Sequence, residues 1–555
     1  MNGRRSMRLV ECVPNFSEGR DPALLDAIAE SIRGAPGVKL LDVDPGKSTN
    51  RTVMTFVGAP ADVVEAAFRA AATAYRLIDM TRHSGEHPRL GAVDVVPFIP
   101  VSGVSMEECI DCARRFGARV GEELGVPIYL YEEAQALEHR KALRQIRQGE
   151  YEGLADRIGQ PEWAPDFGPA TFVARSGATV TGVRFFLIAY NVNILGTRNQ
   201  AHRLALNIRE QGRTVKGPGG ETIREPGYFD AVKGIGWELE EFGLAQVSMN
   251  LDNYRVTPLH AVYEAIRKDA AELGVGVAGS EVVGLIPLEA VLQAADFYIE
   301  REGLFILDER QKVRLVIDRL GLSSVHAFRP EEKIIEYMID QDADGPLIRK
   351  SVRDFVEAVG ARTSTPGGGS VAALVGALGA GLGAMVGWLT YGRRKYDHLD
   401  ATVRANLPAL VEVQEALLRA VDADTDAFAD YVKAIRMPRE TEEQKVARRT
   451  AMEEGLKKAT LVPLRAMETA DRAWDPMLEL ARVGQYSSRS DLDVGAKALE
   501  ACLYGAHRNV LINLADIEDH AFRAEVEERA TTLMERGRRM LEEVQRQVAD
   551  RTGDV

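Results

Sequence analysis

Over the first three-fifths of the chain the apolar positions change rhythm repeatedly. Val38 to Val43, Arg51 to Val57, Ala92 to Val101 and Val126 to Tyr131 are short runs rich in β-branched residues, which predict strands. Ala61 to Ile78, Met106 to Val120 and Gly117 to Leu124 carry apolar residues at helical spacing. After a loop at Trp163 to Gly168 the alternation resumes. Val183 to Tyr190 and Gln246 to Leu251 predict strands, Thr197 to Gln211 and Pro258 to Leu273 predict helices, and the Gly/Pro-rich stretch Lys216 to Tyr228 predicts a loop. Gly274 to Pro287 and Ala290 to Glu302 complete the pattern, which is that of two α/β subdomains with a cleft between them.

Near Arg329 the pattern changes. Pro330 to Gly345 is polar and acidic, and from Ile348 onward only helical periodicity remains. Long segments at 406–435, 441–470, 492–514 and 519–550 predict an all-α bundle, with Pro463 expected to kink or split the second. The expected division is 1–180 and 181–329 for the two subdomains, 330–347 for a linker and 348–555 for the helical domain. Val371 to Leu389 is uncharged and long enough to span a bilayer. It is mostly Gly and Ala, however, with Gly379, Gly383 and Gly387 every fourth residue, so a closely packed helix inside a soluble bundle is expected.

Composition narrows the function. Hydrophobic residues make up 45% of the 555 and charged residues 27%, as in soluble globular proteins. The 69 basic and 83 acidic residues give a net charge of −14, which argues against nucleic acid or an anionic membrane as partner. Cys109 and Cys112 form a lone CxxC in a helical run and are expected as buried thiols. Four cysteines in so long a chain suit a reducing, cytoplasmic compartment, and Glu11 and Pro14 interrupt any signal-peptide pattern at the N-terminus.

Candidate chemistry lies in short clusters. His83-Ser84-Gly85-Glu86-His87-Pro88 matches a zinc-protease pattern on paper, but that chemistry needs a helix, and Gly85 and Pro88 break one. A loop histidine is instead suited to moving protons near neutral pH. Asp44 closes a strand, where a turn-forming role is an equal alternative. In the second half, Thr365 to Ser370 sets glycines at a helix start without the Lys-Ser/Thr ending of a nucleotide loop. Thr390 to Tyr396 clusters Arg393, Arg394 and a lysine beside tyrosines, either a solvated face or a receiver of carboxylates. Asp422, Asp424 and Asp426 share one helical pattern; Asp422 and Asp426 are a turn apart, and their repulsion can raise a carboxyl pKa.

LVECVPNFSEGR, LLDVDPGKSTNRTV, HSGEHPRLGAVDVVPFIPV and WAPDFGP together resemble glutamate formiminotransferase over about Met7 to Phe328. That family transfers a formimino group from N-formimino-L-glutamate to N5 of tetrahydrofolate, and the resemblance implies two α/β subdomains with folate between them. It implies His87 as the catalytic histidine and Asp44 as the acidic group that orients it or steadies developing positive charge. It also implies a folate-contacting segment at Gly168, Pro169, Ala170, Thr171, Phe172, Val173, Ala174, Arg175, Ser176 and Gly177.

TPGGGSVAA, TYGRRKY, VDADTDAF and SDLDVGAKALE resemble formiminotetrahydrofolate cyclodeaminase from about Ile348 to the end. That family closes 5-formiminotetrahydrofolate to 5,10-methenyltetrahydrofolate with loss of ammonia. The resemblance implies Asp422 as the catalytic carboxyl; Asp424 and Asp426 are further candidates, Arg393 and Arg394 are placed on a folate tail, and Ser490, Asp491 and Asp493 line the pocket or cap the following helix. Together the resemblances imply tetrahydrofolate as co-substrate, neither metal nor nucleotide, and a homo-oligomer, commonly a ring-like octamer. Formiminoglycine as donor, or a folate-binding scaffold without turnover, are the alternatives.

Overall fold

The computed structural model describes residues 8–216, 218, 221–339, 345–363 and 365–554, apart from the side chains at 426 and 428–430. The chain divides into a unit at 6–341 and a unit at 342–555.

The first unit contains two sheets. Among the described residues, Leu9–Cys12, Asn15–Phe16, Val38–Gly46, Arg51–Gly58, Val93–Ser102, Ile128–Glu132 and Thr179–Val183 form one of them. Its pairings are antiparallel except that Thr179–Val183 runs parallel to both Val93–Ser102 and Ile128–Glu132. Helices Pro22–Arg33, Pro60–Leu77 and Met106–Leu124 bury one face around Ile28, Phe56, Phe98 and Phe116. Met106–Leu124 is delimited chemically: Ser105 and Glu108 form a capping box, and Gly125 ends it at φ 64°. Cys109 and Cys112 are free and buried on its inner face, where burial pushes their thiols up to about 12 and about 11.

The second sheet is antiparallel, ordered Val232–Leu239, Leu244–Leu251, Ile188–Leu195, Gly276–Val283. Helices Arg198–Ile208, Leu259–Glu272 and Leu288–Glu302 share a core with it that includes Tyr190, Val192, Ile194 and Tyr298.

Three expectations need correction here, and one strand is an addition. The run Val183 to Tyr190 is not one strand: Val183 ends a strand of the first sheet and Ile188 opens one of the second. The run reads as continuous because Phe186 is buried at the crossing, and the subdomain boundary therefore lies after Val183 rather than at 180. Lys216 to Tyr228 is not wholly a loop, because Arg213–Lys216 and Thr222–Glu225 pair as a ribbon, with Arg213 on Glu225. Val232–Leu239 is an unexpected strand, its two glycines having masked the pattern. Pro330–Lys333 and Ile335–Ile339 are helices of the α/β unit rather than linker: Ile334 and Ile335 are buried in its core, and Glu336 accepts the Leu288 N–H at 2.7 Å.

The second unit is helical, with Gly368–Thr390, Asp400–Ile435, Glu442–Asp471, Trp474–Val483, Arg489–Leu514 and His520–Asp550 as its main helices. Gly368–Thr390 is long and apolar enough to cross a membrane, yet its small residues are packed against neighbouring helices. A Cβ on Gly376 would stand 2.6 Å from the Cys502 sulfur, and one on Gly379 2.7 Å from the Gly495 carbonyl oxygen. The four-residue glycine spacing is thus a close helix contact. Pro463 does not split its helix, which runs from Glu442 through to Asp471. Proline denies the Ala459 carbonyl its usual partner, and Asn513 supplies a side-chain N–H to that carbonyl at 3.0 Å.

Candidate functional site

In the α/β unit the segment His83 to Arg89 is a non-helical loop, so the backbone itself removes the zinc-protease geometry. Residues 49 and 50 hold it. A Cβ on Gly85 would fall 2.3 Å from the Thr49 carbonyl oxygen, so only glycine permits that approach. Asn50, itself at φ 47°, donates to the Ser84 carbonyl at 3.0 Å and accepts the Gly19 N–H at 3.0 Å.

The two histidines of this loop differ. His83 Nε2 lies 2.9 Å from the Asn50 carbonyl oxygen, while its Nδ1 accepts from Arg89 Nε at 3.3 Å. A carbonyl can only accept, so Nε2 carries the proton and both ring nitrogens are committed. Arg89 is in turn held by Glu150 at 3.1 Å and by both oxygens of Glu152 at 3.0 and 2.6 Å. His83 is a strut. His87 Nδ1 faces the Pro88 carbonyl oxygen at 2.7 Å, so Nδ1 donates and Nε2 keeps its lone pair. Partial burial and then the Arg51 charge lower the His87 pKa, with Arg147 adding and Asp94 opposing. The half-buried ring is therefore a neutral base at pH 7.

Among the described residues Asp44 makes no hydrogen bond to this ring, so of its two expected roles the structure gives no contact for orienting the imidazole. Asp44 is exposed on strand Val38–Gly46 opposite Val53, and the charge it acts on is that of Arg51. The carboxylate that acts on His87 is Asp94, which accepts the Leu90 N–H at 2.9 Å and pairs with Arg147. Arg51, Asp94 and Arg147 are absent from the expected site. The signal for Asp94 is a single charge in the apolar run Val93 to Val101, since a buried carboxylate demands a partner.

Residues 168–177 lie alongside the same loop. The Ser176 carbonyl accepts from Ala92 N at 2.8 Å, and Gly177, at φ 65°, leaves only 2.3 Å between a would-be Cβ and the Leu90 carbonyl oxygen. Phe172 packs on the Tyr151 ring at 5.4 Å, and Tyr151 donates to the Ala174 carbonyl. The Arg175 guanidinium is spent on the Arg76 carbonyl oxygen at 2.8 Å. An open cleft of about 530 Å³ is lined by His83, Ser84, Gly85, Arg89, Gly149, Glu150 and Glu152.

In the helical unit the glycine-rich turn and the aspartate-rich helix meet. Asp424 accepts the Ser370 N–H at 3.2 Å at the start of Gly368–Thr390, and Thr425 Oγ1 lies 3.4 Å from Ser370 Oγ. Gly369 has no room for a side chain, because a Cβ would sit 2.2 Å from an Asp424 oxygen. Burial raises the Asp424 pKa, against the opposing Ser370 hydrogen bonds. Asp422, the expected proton donor, also lies in this helix and is held by backbone groups. Its two oxygens accept the N–H groups of Leu347 at 2.9 Å and Ile348 at 3.2 Å, and the Gly345 backbone packs on its carboxyl group. The Asp426 side chain lies outside the described residues.

Arg393 and Arg394 are not brought to these aspartates. They follow the far end of the 23-residue helix Gly368–Thr390, roughly 35 Å away at 1.5 Å per residue. Arg393 donates to Gln485 at 2.7 Å, and neighbouring Lys395 and Tyr396 hold Asp554. Ser490, Asp491 and Asp493 lie in the first turns of Arg489–Leu514, where Asp493 accepts from Gln545 at 2.8 Å.

Residues 9–184 match the family described as formiminotransferase domain, N-terminal subdomain; residues 189–340 match formiminotransferase domain; residues 351–532 match formiminotransferase-cyclodeaminase. A formimidoyltransferase-cyclodeaminase of Dictyostelium discoideum is 54% identical over 97% of this chain and 98% of its own length. One from Rattus norvegicus is 53% identical over 95% and 96%. A glutamate formimidoyltransferase of Thermoplasma acidophilum is 44% identical, covering 54% of this chain and 94% of itself. The first two relatives match along nearly their whole length and that of this chain, so the chain belongs to the formimidoyltransferase-cyclodeaminase family of enzymes.

Proposed function

We propose that the two units catalyse consecutive folate reactions. The α/β unit transfers the formimino group of N-formimino-L-glutamate to N5 of tetrahydrofolate, and the helical unit closes the product to 5,10-methenyltetrahydrofolate with release of ammonia. The observation that carries this reading is that each unit offers a group suited to proton transfer: His87, whose Nδ1 donates to the Pro88 carbonyl, and Asp424 at the glycine-rich turn, whose pKa burial raises. In the transfer, N5 loses a proton as it attacks the formimino carbon and the departing glutamate nitrogen gains one. His87 Nε2, free and neutral, takes the first and returns it as the second. In the cyclisation, N10 attacks the same carbon and nitrogen departs only when protonated. Asp424, whose pKa burial raises, supplies that proton, and Asp422 fastens the segment at 345–348.

Glutamate as donor is supported by the glutamate formimidoyltransferase relatives. The reading includes residues 168–177 as the folate contact, polyglutamylated tetrahydrofolate as an accepted co-substrate and no resident metal. It also includes a cytoplasmic setting, which the buried free thiols suit, and a ring-like homo-octamer. Exposed Leu378, Met385 and Trp388 along one apolar helix support self-association. Arg393 and Arg394 are given no part in the cyclisation site.

Two variants divide the reactions. His87→Ala is expected to lose transfer by about 10²–10⁴-fold while still cyclising added 5-formiminotetrahydrofolate. Asp424→Asn is expected to do the reverse, and Asp422→Asn to weaken the fold more than the reaction. Full cyclisation by Asp424→Asn with none by Asp422→Asn would return the proton donor to Asp422.

A further inference from the structure

Arg51 opens the strand Arg51–Gly58 directly after Thr49 and Asn50, the residues that hold the His87 loop. Its Nε is buried without a hydrogen-bond partner. Among the described residues its guanidinium makes neither a hydrogen bond nor an ion pair. The nearby carboxylates leave it so for identifiable reasons. Asp94 is already taken by Arg147 and the Leu90 N–H, and Asp44 acts on Arg51 only through its charge. A partly buried cation without a direct hydrogen bond or ion pair is costly to keep, and burial lowers its pKa against the opposing charges of Asp94 and Asp44. A carboxylate is the chemical group that would satisfy such a guanidinium.

We propose that Arg51 binds the α-carboxylate of the amino-acid donor and so sets which formimino compounds the transferase accepts. The assignment rests on the transferase reading above. The donor's α-carboxylate is attached to the carbon that bears the departing nitrogen, so it must lie beside the base that serves that nitrogen. The carboxylates of a folate tail are separated from N5 by the whole aminobenzoyl group. A guanidinium can grip a carboxylate with two parallel N–H donors. Binding has a second consequence. The Arg51 charge is one of the influences that depress His87, and a carboxylate upon it cancels that charge. The donor thereby strengthens the base that its own transfer needs.

The test compares N-formimino-L-glutamate with the formimino derivative of 4-aminobutyrate, which lacks only the α-carboxylate, on the full chain and on Arg51→Gln and Arg51→Lys. Wild-type protein is expected to prefer the natural donor by about 100-fold in kcat/KM. Arg51→Gln should lose that preference, leave KM for tetrahydrofolate unchanged and move the acid limb of the transfer profile to higher pH. Arg51→Lys, which keeps the charge, should restore part of the preference. Unaltered cyclisation of added 5-formiminotetrahydrofolate would establish that the helical unit of each variant is folded, and donor binding by calorimetry would read the α/β unit without turnover. A wild type indifferent to the carboxylate, equal losses with both donors, or a raised KM for tetrahydrofolate alone would overturn the assignment. Transfer from neither donor by wild type would overturn the transferase reading itself.

Discussion

Two histidines four residues apart are held in opposite ways by what their Nδ1 atoms meet. His83 Nδ1 accepts from Arg89 and has nothing left to exchange; His87 Nδ1 donates to a carbonyl and leaves Nε2 open. Since burial and Arg51 lower the His87 pKa, the neutral form persists to lower pH than for an ordinary histidine near 6.5. Transfer should therefore fall only as pH drops through a value below 6.5, and a kcat/KM profile measured from pH 4.5 to 8 would test this. An acid limb above 6.5 would mean that another group is being titrated. The aspartates of the helical unit divide in a comparable way. Asp422 spends its oxygens on backbone N–H groups, whereas Asp424 keeps a raised pKa at the glycine-rich turn.

Among the elements, the helix Gly368–Thr390 is closely packed through its glycines: Gly379 meets the Gly495 backbone, while Gly383 and Gly387 make room for the Met477 and Leu407 side chains. Gly379→Ala would press a methyl group to 2.7 Å from the Gly495 carbonyl oxygen, and neither helix backbone can yield without shifting the other. The expected cost is about 1–3 kcal/mol, read as a lower denaturant midpoint, with the transfer reaction of the α/β unit unaffected. An unchanged midpoint would mean that the two helices are less closely joined. This helix, its spacing and the long helices around it were legible in the sequence, since each depends on local periodicity. The strand Val232–Leu239 was hidden by its glycines, and the crossing at 184–187 by the buried Phe186. Site residues followed the same rule. The His87 loop, the glycine-rich turn and the aspartate-rich helix are contiguous runs and could be read directly. Asp94 stands out only as a lone charge in an apolar run, and its pairing with Arg147 could not be read, because the two are 53 residues apart and only the fold joins them.

At the scale of the molecule, the chain joins a sheet-based unit whose His87 pKa is lowered to a helical unit whose Asp424 pKa is raised, and the product of the first reaction is the substrate of the second. The relatives match along nearly the whole chain, so both units belong to one family pattern. The most direct test supplies the purified chain with tetrahydrofolate and N-formimino-L-glutamate and follows methenyltetrahydrofolate absorbance and ammonia together. The account predicts that both appear in equal amounts. Glutamate release without ammonia, or neither product while tetrahydrofolate remains bound, would contradict it.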